Sequence, residues 1–154
     1  MSRPAPPSLI EAKMTRYAAA HALLLAVLAI ASSSLAAEGD PLHIELNRLE
    51  QHGDGCRVHL VLENPAPRAY TSYRLDLVIF DAEGVIARRL ALETAPLRAN
   101  KTMVKEFELT GLPCKGVGRL LLNDVSACAS PAGDLDDCVA ATRVSSRNAV
   151  SFVK

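Results

Sequence analysis

The chain has 154 residues, with 17 basic and 17 acidic side chains, no tryptophan and only three phenylalanines. Balanced charge excludes the basic excess that a nucleic-acid surface needs, and it equally argues against a charge-swollen disordered chain. So few aromatic rings leave no stacking platform for sugars or single strands.

The first 36 residues differ from the rest. Arg3, Lys13 and Arg16 precede the apolar run from Ala22 to Ala31, and Ser34-Leu35-Ala36 follows with small residues at −3 and −1. This pattern predicts a signal peptide over 1–36, cleaved after Ala36. A start at Met14 would give it an ordinary length, with Thr15-Arg16-Tyr17 as its charged head. The alternative is an uncleaved anchor, but ten apolar residues fall short of the ~20 that a spanning helix needs. No cysteine follows the cleavage site closely enough for a lipid anchor. The remaining 37–154 would hold 14 basic and 16 acidic residues, a net charge of −2, in 118 residues. That length suits one domain, with no membrane attachment after cleavage.

Period-two alternation then dominates, the mark of half-buried strands. Leu42, Ile44 and Leu46 alternate with polar residues, and after Gly53-Asp54-Gly55 so do Cys56, Val58, Leu60 and Leu62. Asn64-Pro65-Ala66-Pro67 stops that strand, because proline cannot donate to a central ladder. Tyr73, Leu75, Leu77 and Ile79 form the next inward face. Their neighbours Val78 and Phe80 are apolar too, so this strand is central, covered on both faces, or carries an exposed patch. Phe80 to Val85 reads as a hairpin loop with Gly84 at positive φ, and Ile86 to Glu93 as the return strand. Thr102 to Leu109 and Val117 to Leu122 continue the series around the break at Gly111 to Gly116. No intervening stretch suits a crossover helix, so the expectation is an all-β, immunoglobulin-like antiparallel sandwich.

The tail reads differently. Asp134 to Ala141 is expected to form one or two helical turns capped by Asp134, with closing strand segments at 144–146 and 150–153. All four cysteines, Cys56, Cys114, Cys128 and Cys138, lie in the exported part. Three pairings are open. Cys56 opens the second strand and Cys114 precedes the sixth, which often lie close in such sandwiches, while Cys128 and Cys138 flank a short tail loop. The expected bridges are therefore 56–114 and 128–138, worth about 4 and about 3 kcal/mol in the chain-entropy account. No CxxC spacing supports redox chemistry, and the intervals are too irregular for zinc.

Other chemistry is sparse. His43 and His59 fall on outward strand positions and His52 in a turn, and Met103 is the only methionine after position 36. A copper site is therefore poorly supplied with soft ligands. Asp134, Asp136 and Asp137 lack the glycine and terminal glutamate of a calcium loop. Arg74, Arg88, Arg89 and Arg98 could line an anion-binding face, although acids are scattered among them. No nucleophile elbow or other catalytic signature is present, and no cofactor motif occurs.

Several stretches resemble a known family. Ile44 to Glu50, Gly55-Cys56-Arg57, Glu63-Asn64, Phe80 to Gly84, Gly118 to Asn123 and Val144 to Arg147 together look like secreted proteobacterial proteins labelled "Tat pathway signal" proteins. The segment from Cys56 to Leu109 is also similar to bacterial sandwich domains of the FxLYD type. The resemblance implies secretion and a sandwich fold, and it supplies no catalytic residues. Arg16 stands alone where a twin-arginine signal needs two, so the general secretory route to the periplasm or beyond is expected.

These readings converge on an exported, non-catalytic accessory module whose partner is another envelope protein, with Val78 and Phe80 as candidate contact residues. Two other functions stay open: a small-ligand or metal carrier using His43 or His59, and a hydrolase with an unrecognised site. The expected cover for Val78 and Phe80, if they are not a docking face, is the tail drawn over them by Cys128–Cys138.

Overall fold

The computed structural model describes residues 40–154. The expected signal peptide, its cleavage after Ala36 and the alternative start at Met14 lie outside the described residues. Within them the chain is all-β: two sheets packed face to face and stapled by two disulfides.

The first sheet grows from the clearest alternation. Strands β1 (Leu42–His52) and β2 (Gly55–Asn64) form a hairpin whose Leu42, Ile44, Leu46, Val58, Leu60 and Leu62 point inward, each at most 1% exposed. Asn47 is bulged out where the register shifts between Leu46 and Arg48. Strand β5 (Lys101–Leu109) pairs with the far side of β2. The second sheet is centred on β3 (Ser72–Phe80), flanked by β4 (Ile86–Glu93) and β6 (Arg119–Ser130). Its Leu75, Leu77, Ile79, Leu120 and Leu122 meet the first sheet's inward residues in one core.

Turn chemistry agrees with the sequence. Asp81 accepts from the amides of Glu83 and Val85 while Gly84 takes φ +83°. Asn64, buried at the end of β2, donates to the carbonyls of Arg68 and Arg98 and so ties two connections together.

Two features depart from expectation. Strand β6 runs to Ser130 rather than Leu122, because register shifts on its β3 side at Arg74/Leu75 and Asp76/Leu77 break the alternation that would have revealed it. The helical tail is absent. Asp134 ends the short strand β7 (Gly133–Asp134), paired to Ala129, and Asp137 sits at φ +57°. A left-handed residue there interrupts any right-handed helix, leaving one turn closed by Ala141 N–H to Asp137 C=O at 3.0 Å. Helical geometry among the described residues is confined to a 3-10 turn at Cys114–Gly116.

The C-terminal strands also modify the antiparallel expectation. Strand β8 (Thr142–Ser146) runs parallel to β1, and β9 (Ser151–Val153) parallel to β6. The bridge Cys128–Cys138 holds the returning chain at the end of β6, so β8 leaves against the direction of β6. The turn at 147–150 reverses it into the other sheet. The strand orders are therefore β5-β2-β1-β8 and β4-β3-β6, with β7 and β9 sharing the far edge of β6. The second bridge joins Cys56 to Cys114, which lies on the 3-10 turn ahead of β6. Both bridges match the pairing expected from the sequence.

Candidate functional site

Val78 and Phe80 lie on the outer face of the second sheet, opposite in sense to Leu77 and Ile79. Register builds two rows around them. One runs Arg89, Val78, Leu121, Val153 across β4, β3, β6 and β9; the next runs Ile86, Phe80, Arg119, Ser151. Five of these eight positions are apolar, and Ile86 is 62% exposed. Phe80 and Leu121 are half-buried, whereas Val78 is only 6% exposed.

That cover is lateral. Arg89 stands opposite Val78 yet pairs with Asp76 two residues along β3, at 2.9 and 2.6 Å, so its stem lies beside Val78. From the tail, β9 joins this sheet at its edge, with Val153 as an in-plane neighbour of Leu121. Arg119 lays its guanidinium over the Phe80 ring, 4.2 Å from the centroid. Among the described residues, no carboxylate lies within ion-pair distance of Arg119. Asp76, in contrast, is well served. Hydrogen bonds from Arg89 hold its carboxyl below the usual carboxylate range against the opposing effect of burial, with help from the Asn123 amide at 2.7 Å.

Gly118 positions this face. Its N–H donates to the Phe80 carbonyl at 2.9 Å, and a Cβ there would lie 2.1 Å from the Asp81 carbonyl oxygen. No side chain fits, so β6 can start against the end of β3 and bring Arg119 onto Phe80. Arg119, Leu121, Ile86 and Val153 were not singled out from the sequence. The unbroken apolar run Leu120-Leu121-Leu122 places one leucine on the outer face, but only the register joins Leu121 and Arg119 to Phe80.

His43, His52 and His59 lie on the outer face of the first sheet and do not converge. His43 bonds Ser145 at 2.8 Å and stands 3.9 Å from Glu63. His59 sits between Glu106, 3.0 Å from Nδ1, and Glu50, 3.3 Å from Nε2 but out of line for a hydrogen bond. His52 shares Glu108 with Arg57. Each imidazole thus has separate carboxylates, and no group of three His, Cys, Asp or Glu among the described residues is arranged to hold a metal ion. The arginines disperse as well: Arg74 faces Glu93, Arg89 pairs with Asp76, and Arg88 donates to the Thr110 carbonyl.

One open cleft, of about 910 Å³, lies beside β6. Residues 122–129 form one wall and 134–140 the other, with Cys128–Cys138 between them and Lys154 at the rim. Asp134, Asp136 and Asp137, expected to cap a helix, line this cleft instead. Comparison with known protein families, with curated proteins and with solved structures finds no match.

Proposed function

We propose that this is an exported accessory module of the cell envelope, without catalytic activity of its own, that docks another envelope protein through the outer face of the second sheet. The observation that carries this reading is the two-row grid in which Val78, Phe80, Leu121, Ile86 and Val153 adjoin on one sheet face. Contiguous apolar patches of this kind mark interaction surfaces. Arg119, already desolvated on one side by Phe80, is the type of residue that anchors such contacts. Two disulfides fit an oxidising compartment, and the family resemblance points to the same compartment.

Phe80→Ser tests the reading. The ring is half-buried, so the isolated protein should lose only about 1 kcal/mol in urea denaturation, while co-purification of the partner from cross-linked envelopes disappears. A large loss of stability with the partner retained would assign Phe80 to packing alone. Unchanged stability and unchanged co-purification would remove this face from consideration.

A further inference from the structure

The edge of β6 opposite β3 is occupied at both ends and open in the middle. Strand β9 pairs with residues 119–121 and β7 with 129–130. Between them, residues 122–127 have no strand on that side, a lane of about 20 Å at 3.3 Å per residue. Two backbone groups, one within the segment and one just past it, are already met. The Cys128 carbonyl accepts from Leu135 N–H at 3.0 Å, and Val125 N–H donates to the Asp124 carboxylate at 2.8 Å. This lane is the floor of the 910 Å³ cleft.

The opposite wall is held in place rather than collapsed onto the edge. The Cys128–Cys138 bridge fixes its middle. The buried Tyr73 hydroxyl bonds both Thr142 Oγ1 and the Cys138 carbonyl, and burial pushes its pKa up to about 12, so it remains a neutral donor. Lys154 donates its ammonium to the carbonyls of Val139, Ala140 and Thr142. That ammonium is therefore bound to backbone, and Asp134, Asp136 and Asp137 have no ionic partner among the described residues.

We propose that this cleft takes an extended peptide segment bearing basic side chains, added as a short strand to β6 between β9 and β7. Main-chain hydrogen bonds to the open lane would supply affinity in any sequence, as in other strand additions. The three uncompensated carboxylates select lysine or arginine over acidic side chains. Because the wall is pre-formed, little ordering cost falls on the protein. This site is separate from the Phe80 face and does not depend on it.

The test uses the full chain with both disulfides intact and a fluorescein-labelled hexapeptide of alternating lysine and valine, read by fluorescence anisotropy. The acidic counterpart, with glutamate for lysine, should bind at least about tenfold more weakly. Methylating alternate amides of the basic peptide should weaken it by about tenfold, since those ladder bonds are lost. The combined variant Asp134→Asn, Asp136→Asn, Asp137→Asn should weaken it about fivefold with an unchanged melting temperature. Phe80→Ser should bind it normally, which separates this site from the docking face. Equal affinity for the methylated and unmodified peptides would reduce the effect to diffuse charge attraction and overturn strand addition. Equal affinity for acidic and basic peptides, or no binding at millimolar concentration, would overturn the proposal outright.

Discussion

Gly118 illustrates how one missing side chain sets a surface. With the Asp81 carbonyl oxygen 2.1 Å from where a Cβ would sit, Gly118→Ala forces β6 away from the β3–β4 turn. The expected cost is about 3 kcal/mol, the upper part of the range for overpacking, and urea denaturation measures it. Arg119 should move off Phe80 in the same variant, weakening partner capture beyond what stability explains. Asp76 gives the same face a titratable carboxylate whose pKa is lowered in the fold. Its folded pKa is lowered by Arg89 and Asn123, so its contribution is present above its unfolded pKa near 4 and is lost as pH falls through the lower folded value. Glu93 acts in the same sense. Burial alone would raise it, but the amides of Tyr73 and Ala95 and the Ser72 hydroxyl outweigh that and lower it. Asp76→Asn should therefore cost about 1 kcal/mol at pH 7, and its melting temperature should fall less than the parent's on acidification to pH 3. Parallel curves for the two proteins would show that Asp76 does not carry the acid sensitivity.

Elements differ in how much of them could be read from sequence, and the difference is regularity. The first half of β1 and nearly all of β2 alternate cleanly because each presents one face to the core, β3 is apolar at Val78 and Phe80 as well, and β4 spans the residues expected of it, Ile86–Glu93. The hairpin loop after Phe80 was legible because its turn needs a glycine at positive φ; the Asp81 acceptor that supports it came only with the structure. Strand β6 beyond Leu122 was not, since the extra residues around Asn123 and Ser126 reverse which parity faces inward. The acids of 134–137 suggested a helix start because local propensity favours one; a two-residue strand and the Cys128–Cys138 tether overrode it. For the same reason the cleft was invisible in the sequence, being made by a gap between β7 and β9 rather than by a motif. The staples themselves were legible, and their weights follow from loop length. The 58-residue separation of Cys56–Cys114 should make its double serine variant less stable by about 4 kcal/mol, against about 3 kcal/mol for the 10-residue separation of Cys128–Cys138. Chemical denaturation of the two variants checks the order; a reversed order would mean that the tail tether, with its Tyr73 bonds, holds more structure than its loop length implies.

At the scale of the whole molecule, a two-sheet sandwich has two open sides, and this chain treats them differently. One is covered in part by β8 and β9, which join the first and second sheets in turn and pack beside each other, leaving the lane of β6 at residues 122–127 open. The other exposes the edges of β4 and β5, the places where a second chain could add on. Both edges carry an inward-facing cation. Arg88 stands opposite the buried Ile79 and reaches across to the Thr110 carbonyl at the end of β5. Lys105 stands opposite the buried Leu60, between Met103 and Phe107 on the core side of β5. A charge in that position must escape to solvent past the edge, and a docking strand would trap it, so edge-to-edge association is opposed. The protection matters because Val104, 59% exposed on the same strand, would otherwise make β5 an attractive template. Lys105→Val removes the obstacle while improving burial between Met103 and Phe107. The variant should melt no lower than the parent yet form dimers and larger species at high concentration, visible by size-exclusion chromatography with light scattering. Lys105→Arg, which keeps the charge, should stay as the parent does. If Lys105→Val also keeps the parent's mass at every concentration, the edge is protected by something other than its inward cation.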